Sequence, residues 1–556
     1  MFNHIRKYDE SIALITDDST KVTYKQLYRD ALEFSRKLEN DNERNFVVLE
    51  MANNVTTIVC YLACLLKDHP VLLLDADNKQ QNQKIIDSYQ PNIIIHTQSG
   101  SPEITVKNKK LIKLHSELAI LLTTSGSTGS PKLVKLSKKN ITSNTQSICE
   151  YLQLTDKDRA ITSLKGNYSY GMSVINTHLF IGASLLLTNM NITDHSFFSL
   201  FDKFSISNFS GVPYNFELLS KQNLNFANFP SLRFVTQAGG KLSNNLVLQF
   251  AKQAKQGNFK FFIMYGQTEA SPRISYLPPD KTLTFPDFIG IAIPGGELLL
   301  YDDNEHVINQ PLVEGELVYQ GDNIMLGYAS TPDELADDEQ ITRLKTGDIA
   351  FFNEQGLYKI VGRKSRFAKP YGLRVNLDDI EAYLKAEGVI STVTCLSENI
   401  LVFIVEDRAA ADQRTFLNNH LAAEFHLPKA TFIINFIIEI PRLGNGKINY
   451  QMLNTQSSLI CKKLADDTSF WQVFKQEFLR SLKLSHENWS GILEIFVHFF
   501  PNQDVSLSSS FISLGGDSLQ YITISTEVEQ YLASLPNNWS LLSISELESI
   551  KAYHGI

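Results

Sequence analysis

The 556-residue chain has little cysteine, no excess of basic residues and no long apolar run. Its five cysteines are scattered without CxxC spacing, which disfavours a disulfide framework or a zinc site and is typical of reduced cytoplasmic thiols. A formal net charge of −9 argues against nucleic acid as a partner, because phosphate binding requires a basic surface. No apolar run approaches the ~20 residues of a membrane helix, and charges come too early for a secretory signal. We therefore expect a cytoplasmic protein without a membrane span.

The chain does contain enough apolar sequence for several folded domains, with 43% hydrophobic and 20% charged residues. Over the first ~220 residues, helix-like segments such as TYKQLYRDALEFSRKLEN alternate with short apolar runs such as FVVLEMA, HPVLLLDAD and NIIIHT. That alternation predicts an α/β fold with a mostly parallel sheet covered by helices. From about 285 to 365, short strands between turn signals predict a small β section.

The segment LLTTSGSTGSPKLVKLS (121–137) combines small and hydroxyl residues with one lysine. Gly126 and Gly129 allow positive φ, and successive backbone N–H groups in such a loop form a concavity that binds anions. Lys132 adds a point charge suited to a polyphosphate. Pro131 stands where a Walker loop requires its second glycine, so the loop is not of that type. The pattern predicts a phosphate-binding loop.

The string TSGSTGSPK closely resembles the phosphate loop of the AMP-forming adenylating superfamily, which includes acyl-CoA synthetases, luciferases and the adenylation domains of nonribosomal peptide synthetases. Further signatures of that family are present: TQAGGKLS (236–243), MYGQTEA (264–270), GELVYQGDNIMLGY (315–328), LKTGDIA (344–350), GLYKIVGR and PRLGNGKINY (441–450). The resemblance covers residues 1–453, and the 315–328 segment is interpreted as structural.

The resemblance implies roles for individual residues. Thr268 hydrogen-bonds the α-phosphate, Glu269 holds Mg²⁺, and Asp348 accepts hydrogen bonds from both ribose hydroxyls. Lys447 is the catalytic lysine, placed between the carboxylate and the phosphate, and it completes a catalytic set with Thr268, Glu269 and Lys132. The residues assigned to ATP binding are Thr124, Ser125, Gly126, Ser127, Thr128, Gly129, Gly239, Gly240, Tyr265, Gly266, Asp348 and Arg363.

The chain departs from the family pattern in three places. Leu133 replaces a glycine that commonly follows the phosphate loop, and an early LKAG motif is degraded to LLKDHPVLLLD. The hinge position, commonly Asp in GRxD, is Ser365, a small residue that can serve as a hinge. Gly372 is implied to line the pantetheine tunnel in the second reaction state.

The tail segment FISLGGDSL (511–519) closely resembles the phosphopantetheine attachment site of acyl and peptidyl carrier proteins. The attachment residue is then Ser518, beside Asp517 at a predicted helix start. The tail is acidic: from Arg480 to Ile556 there are eight Asp or Glu residues and three Lys or Arg residues. The domain order predicted from these features is an adenylation N-terminal lobe (1–364), a small α+β C-terminal lobe (365–455), a linker (456–485) and an all-α four-helix carrier domain (486–556).

The sequence disfavours one class of carboxylic acid as the substrate. Relatives that activate amino acids usually carry Asp in an FDxS motif, whereas the corresponding segment GNYSYGMSVINTHL (166–179) has Ser169 there and no acidic residue. An unpaired α-ammonium buried in that pocket would be costly, which favours a fatty, aryl, hydroxy or keto acid. The candidate acyl-pocket residues are Tyr168, Ser169, Tyr170, Asn176 and Pro213.

The predicted activity is ATP- and Mg²⁺-dependent conversion of a carboxylic acid to an acyl-AMP, followed by transfer to the 4′-phosphopantetheine arm on Ser518. The implied protein partners are a phosphopantetheinyl transferase and a downstream acyl-accepting enzyme in trans, since no HHxxxDG or GxSxG motif is present. Two alternatives stay open, an amino-acid-activating didomain and an acyl-CoA synthetase that uses free CoA. A scaffold that only binds nucleotide would have lost Lys132, Glu269, Asp348 or Lys447.

Overall fold

The structure, a computed structural model, describes most of the chain. The described residues are 3–38, 44–107, 112–123, 132–194, 196–368, 375–396, 399–405, 411–425, 427, 431–442, 448–465, 489–500, 505–511, 513–514, 524, 527–528, 531–532, 536, 539 and 542–554. The predictions for Thr124, Ser125, Gly126, Ser127, Thr128, Gly129, Gly372, Lys447 and Ser518 lie outside these residues. The chain divides into two compact units, Met1–Val361 and Gly362–Ile556.

A nine-stranded mixed sheet forms one half of the first unit. Its six central strands run parallel to their neighbours, and antiparallel strands flank them. The strands, in sheet order, are Ile291–Ala292, Arg273–Leu277, Lys260–Gly266, Phe234–Gln237, Asn208–Gly211, Arg159–Ile161, Ser184–Leu187, Ile12–Thr16 and Lys21–Thr23.

A seven-stranded mixed sheet forms the other half of this unit, with four parallel strands in its middle. Its order is Gly327–Ala329, Leu133–Ser137, Leu118–Thr123, Val71–Asp75, Val47–Met51, Ile93–His96 and Glu103–Val106. The α/β prediction is confirmed, but both large sheets are mixed, because antiparallel strands flank their parallel strands. Strand order depends on pairing between distant segments, which local periodicity does not encode.

The section predicted to be β-rich forms a third sheet of four strands, Gly296–Tyr301, Gly315–Gly321, Leu344–Phe352 and Tyr358–Arg363. Its first three strands pair in antiparallel fashion. Short antiparallel strands joined by turns are what the sequence pattern indicated for this section.

Helices cover the two large sheets. Two of them begin with capping boxes, in which Thr23 pairs with Gln26 and Ser137 with Asn140. One apolar cluster joins Leu14 and Leu185 of the nine-stranded sheet to Leu49 and Leu73 of the seven-stranded sheet. The helices of this unit are Tyr24–Arg36, Val55–Leu66, Lys79–Tyr89, Lys138–Leu152, Ser169–Ile181, Ser199–Phe204, Pro213–Lys221 and Asn244–Gly257.

The second unit begins with a short sheet of Phe367–Ala368 and Val375–Asn376, followed by a three-stranded sheet of Ser391–Leu396, Asn399–Val405 and Phe432–Ile437. Arg366 anchors this region: its guanidinium donates to Asp378 at 2.8 Å and to Glu381 at 2.6 Å. The same guanidinium lies 4.4 Å from the ring centroid of Tyr450. Among the described residues of this unit, the helices are Leu377–Ala386, Ala411–Glu424, Tyr450–Ala465, Ile492–Phe499 and Ile544–His554.

Residues of the predicted carrier segment share an apolar cluster, which contains Ile492, Phe496, Phe511, Trp539 and Leu547. The number of helices in this segment and its identity as a carrier stay predictions, as do the domain boundaries. The helix Tyr450–Ala465 runs through the predicted boundary at 455/456, and Ser457 on it hydrogen-bonds Thr394 at 2.6 Å. Within the described part of the chain, no helix combines the length and apolarity that a membrane span requires.

Candidate active site

A tight turn carries Thr268 and Glu269 between two antiparallel strands, Lys260–Gly266 and Arg273–Leu277. Gly266 permits this turn, because a Cβ at that position would lie 1.9 Å from the carbonyl oxygen of Pro272. The buried amide of Asn323 fixes the turn by donating to the carbonyl oxygen of Ala270 at 2.6 Å and to that of Arg273 at 2.9 Å. The side chains at 268 and 269 therefore project from a rigid backbone.

Tyr265 and Asp348, assigned from separate motifs, meet in this region. The Tyr265 hydroxyl donates to Asp348 Oδ2 at 2.5 Å. Asp348 is only 3% exposed, and its backbone N–H donates to Thr346 Oγ1 at 3.1 Å. A buried carboxylate held in this way is a strong acceptor for the hydroxyl groups of a ligand.

Tyr328 connects Glu269 to Lys132. Its hydroxyl donates to Glu269 Oε1 at 2.9 Å, and Lys132 Nζ lies 3.5 Å from the centroid of its ring. Burial raises the pKa of Tyr328, and the neighbouring Glu269 carboxylate raises it further. The sequence analysis treated the segment that ends at Tyr328 as structural, and no pattern in a single sequence distinguishes this tyrosine from a core one.

The start of the helix Ser169–Ile181 lies beside the turn. Ser169 Oγ is 3.3 Å from Thr268 Oγ1. Gly239 has a φ of +88°, and a Cβ there would lie 2.6 Å from the Tyr168 hydroxyl, so only glycine fits against this ring. A Cβ on Gly240 would lie 3.2 Å from Pro213 Cγ. The structure thus brings Tyr168, Ser169 and Pro213 together with the glycine-rich segment and Thr268.

Two other predicted pocket residues take part in core hydrogen bonds. The Tyr170 hydroxyl is 2.7 Å from Thr236 Oγ1, and the residue is 2% exposed. Asn176 lies about two helical turns beyond Ser169, and its Oδ1 accepts a hydrogen bond from Tyr61 at 2.9 Å.

Arg273, which the sequence analysis did not single out, lies in the same region. Its Cζ is 4.6 Å from the ring centroid of Tyr170. Burial raises the pKa of Tyr168, and the nearby Arg273 charge opposes that rise. The available sequence signal was a basic residue at the start of the otherwise uncharged strand RISYL.

The remaining predicted residues are in the second unit or outside the described chain. Arg363 ends the strand Tyr358–Arg363, and Ser365 is an exposed residue of the 3₁₀ turn Lys364–Arg366. Both belong to the unit that begins at Gly362, so the structure describes them apart from the residues above.

The donor set near the turn fits Mg²⁺ bound together with a phosphate. Among the described residues, no three His, Cys, Asp or Glu side chains form a cluster that would hold a metal by themselves. Mg²⁺ characteristically uses one or two protein carboxylates together with phosphate oxygens and water, a requirement that the single carboxylate of Glu269 meets.

Comparison with known proteins identifies a family and individual relatives to which this chain is similar. The family described as "AMP-binding enzyme" matches residues 1–329. The long-chain-fatty-acid–CoA ligase of Salmonella typhimurium is 30% identical over 351 residues, which are 60% of this chain and 60% of that ligase. The 2-succinylbenzoate–CoA ligase of Bacillus pumilus is 25% identical over 485 residues, which are 81% of this chain and 96% of that protein. The chain thus spans less than two thirds of the fatty-acid ligase.

A solved structure has the same fold. The O-succinylbenzoate coenzyme A synthetase (MenE) of Bacillus subtilis, in complex with ATP and magnesium ion, aligns with a TM-score of 0.65 and 18% identity, over 80% of this chain and 97% of that one. The family match covers more than half of the chain and contains the turn, the glycine-rich segment and Tyr328. The chain therefore belongs to the AMP-binding enzyme family.

Proposed function

We propose that this protein activates a carboxylic acid with ATP as an acyl adenylate and then transfers the acyl group to a thiol, with the phosphopantetheine arm on Ser518 as the acceptor. One observation carries the proposal: residues from separate motifs converge around the turn at Thr268–Ala270. Tyr265 meets Asp348 at 2.5 Å, and Glu269 meets Tyr328 at 2.9 Å, with Lys132 on the same tyrosine ring.

The converging groups suit a magnesium–nucleotide complex. Asp348 is a buried acceptor for ribose hydroxyls, Lys132 supplies positive charge for phosphate, and Glu269 supplies an oxygen ligand for the metal. Mg²⁺ would offset the charge that builds on the phosphate oxygens. The fold relative MenE, solved with ATP and magnesium ion, supports this assignment.

The first half-reaction joins the acid to the nucleotide. A carboxylate oxygen forms a bond to the α-phosphorus, the bond from that phosphorus to the bridging oxygen breaks, and pyrophosphate leaves. In this proposal Thr268 donates to an α-phosphate oxygen, and Lys447 supplies the ammonium that neutralises charge in the transition state.

The second half-reaction forms a thioester. The thiol sulfur bonds to the acyl carbon, the bond from that carbon to the AMP oxygen breaks, and the thiol proton passes to solvent. The apolar cluster of residues 489–550 supports a folded acceptor segment in the tail, and the sequence FISLGGDSL supplies its serine. Loading of that serine requires a phosphopantetheinyl transferase, and a separate enzyme takes up the acyl group.

Free CoA is the competing acceptor. Both curated relatives described above are named as CoA ligases, which favours this alternative, whereas the tail motif favours Ser518. Activation of an α-amino acid is less favoured, because no acidic side chain lies at the start of the helix Ser169–Ile181 to pair with an ammonium.

ATP–pyrophosphate exchange across a panel of carboxylic acids tests the first half-reaction. The Lys447→Ala variant should nearly abolish exchange while it leaves transfer from a pre-made adenylate largely intact. Lys385→Ala, which removes an exposed lysine of the same unit, serves as the matched control and should exchange like wild type. If no acid of the panel supported exchange, the proposed activity would be contradicted.

Intact-protein mass spectrometry separates the two acceptors. After treatment with a phosphopantetheinyl transferase and CoA, the wild-type chain should gain the mass of one phosphopantetheine and then of the acyl group. Ser518→Ala should keep exchange but lose both mass increases, whereas Ser508→Ala, at an exposed serine of the same segment, should keep them. Release of soluble acyl-CoA by Ser518→Ala at the wild-type rate would instead establish free CoA as the acceptor.

A further inference from the structure

Arg273 is a buried arginine that has no acidic partner among the residues that the structure describes. Its side chain belongs to a residue that is 3% exposed, and its Nε is buried without a hydrogen-bond partner. No Asp or Glu in the described part of the chain forms an ion pair with it. Charged groups this deeply buried are normally paired, because removing them from water without compensation is unfavourable.

Tyrosines surround the guanidinium. Its Cζ lies 4.6 Å from the ring centroid of Tyr170, which satisfies one face by a cation–π contact. The positive charge also opposes the rise in pKa that burial causes at Tyr151 and Tyr168. Neutral hydroxyls and ring faces provide partial compensation, but none of these groups supplies a negative charge.

The backbone hydrogen bonds of Arg273 account for the position of this residue, but they do not account for its charged side chain. Asn144 accepts from its N–H at 3.3 Å and donates to its carbonyl oxygen at 3.0 Å, and Asn323 donates to that carbonyl oxygen at 2.9 Å. These hydrogen bonds use groups that every residue other than proline offers. An apolar residue would serve a purely structural role here with less desolvation cost.

The location connects Arg273 to the wall of the candidate acyl pocket. It pairs with Gly266 across the antiparallel strands, so it flanks the turn that carries Thr268. The ring of Tyr170, on which the guanidinium lies, is 6.5 Å from the ring of Tyr168, and Tyr168 lies against Gly239. Ser169, between these two tyrosines, is 3.3 Å from Thr268 Oγ1.

We propose that Arg273 binds a second carboxylate of the substrate, so that the preferred acid is a dicarboxylic acid activated at one end and held by the guanidinium at the other. This inference rests on the proposed function and names the substrate class of the same site. A guanidinium matches a carboxylate through two parallel N–H···O hydrogen bonds, which supply the missing negative charge. The same cation repels an α-ammonium group, in agreement with the absence of an acidic residue at Ser169.

The test measures ATP–pyrophosphate exchange of the full chain with pairs of acids matched in carbon number: malonate with propanoate, succinate with butanoate, glutarate with pentanoate and adipate with hexanoate. Wild type should favour the dicarboxylate of at least one pair by about 100-fold or more in kcat/KM, as sites built around a polar group discriminate. Arg273→Gln and Arg273→Leu should abolish that preference while exchange with the monocarboxylate persists or rises. Arg273→Lys should retain part of the preference, because it keeps the charge but loses the bidentate geometry.

Arg343→Gln is the matched control, since Arg343 is an exposed arginine of the same unit and lies 6.0 Å from the ring centroid of Tyr301. It should leave the preference unchanged. If wild type exchanged as fast with the monocarboxylate as with the dicarboxylate in every pair, the inference would be overturned and the proposed function would stand. This result does not depend on the folding of any variant. Equal loss of exchange with both members of a pair in a folded Arg273→Gln variant would also overturn it. If none of the acids supported ATP–pyrophosphate exchange, the proposed function and this inference would both be overturned.

Discussion

Tyr328 links two groups of opposite charge whose assigned roles concern different parts of the nucleotide. Its hydroxyl holds the Glu269 carboxylate at 2.9 Å, and its ring lies 3.5 Å from the Lys132 ammonium. Groups that orient a metal ligand affect metal binding almost as strongly as the ligand itself. We therefore propose that Tyr328 positions Glu269 as the metal ligand, a role distinct from contact with the nucleotide.

Replacement Tyr328→Phe tests this role, because it removes the hydroxyl and keeps the ring beneath Lys132. The Mg²⁺ concentration needed for half-maximal ATP–pyrophosphate exchange should rise by about 10-fold, the lower end of the range for residues that orient metal ligands. Stability should fall by about 1.5–3 kcal/mol, the net value of a hydrogen bond to a charged group. Tyr301→Phe provides the control, since the Tyr301 hydroxyl contacts the exposed Arg343. An unaltered Mg²⁺ requirement in Tyr328→Phe would remove Tyr328 from the metal site.

The helix Ser169–Ile181 carries candidate pocket residues at its start and a buried histidine near its end. His178 Nδ1 lies 2.9 Å from the carbonyl oxygen of Val174 and donates to it, whereas Nε2 accepts from Asn208 Nδ2 at 3.0 Å. Both ring nitrogens are thus engaged by the neutral imidazole. Burial lowers the pKa of His178 from its ordinary value of 6.5, and burial likewise lowers that of His69.

This arrangement predicts that the first unit loses stability as the pH falls. Below the unfolded value of 6.5 the unfolded chain protonates His178, while the folded chain keeps it neutral until a lower pH. Between its unfolded and folded pKa values, each such histidine lowers the free energy of unfolding by about 1.4 kcal/mol for each pH unit that the pH falls. Above the unfolded pKa, the histidine contributes its full stabilisation. Urea unfolding followed by far-UV circular dichroism from about pH 7.5 to 5.5 measures the slope.

His178→Gln should reduce this slope, and His306→Gln, at a histidine whose side chain is 79% exposed, should not. The measurement counts against the neutral buried imidazole if wild type shows a flat profile or if His306→Gln changes the slope as much as His178→Gln.

The sequence predicted individual elements of the first unit well. The segment TYKQLYRDALEFSRKLEN contains the helix Tyr24–Arg36, and FVVLEMA contains the strand Val47–Met51, because both show the apolar spacing of their element. The order of the strands and the antiparallel edges of both large sheets were not predicted, since they depend on which strands become neighbours. The family motifs predicted the site residues Tyr265, Glu269 and Asp348. Tyr328 and Arg273 were missed because their roles come from contacts with distant residues.

All tryptophan of the chain lies in the second unit. Trp471, Trp489 and Trp539 are the three tryptophans, and residues 1–361 have none. Trp539 is 1% exposed, with its ring 5.3 Å from that of Phe511, and Trp489 Nε1 donates to Glu527 at 2.6 Å. Tryptophan fluorescence consequently reports on residues from Trp471 onward, chiefly on the tail, whereas circular dichroism reports on every helix and strand.

If the tail folds on its own core, the two signals should not coincide. We expect the urea midpoint from tryptophan emission to differ from the midpoint from far-UV circular dichroism, because separate domains violate two-state behaviour. Trp539→Phe should remove most of the emission change and leave the dichroism transition in place. Coincident transitions in wild type would indicate that the tail unfolds together with the rest of the chain.

Ser365 is exposed within the 3₁₀ turn Lys364–Arg366, close to the start of the second unit. If it is the pivot between the two half-reactions, Ser365→Pro should fix φ near about −65° and disfavour the helical region for Lys364. Exchange should then persist while self-thioesterification falls by about tenfold or more, since the enzyme would be held in one of its two reaction states. Ser365→Ala should retain both activities. A thioesterification rate equal to wild type in Ser365→Pro would place the pivot at another residue.

Because Arg366 is anchored by ion pairs, tryptic cleavage at the start of the second unit depends on the local structure. Arg363 and Lys364 are exposed, whereas the Arg366 side chain is 10% exposed and held by Asp378 and Glu381. Trypsin must take the basic side chain into its own acidic pocket before it cleaves. Cleavage after Arg366 therefore requires that its ion pairs with Asp378 and Glu381 break as well as that the local backbone opens. Resistance at Arg366 would report that this segment bends as an intact structure, and cleavage there would report that it comes apart.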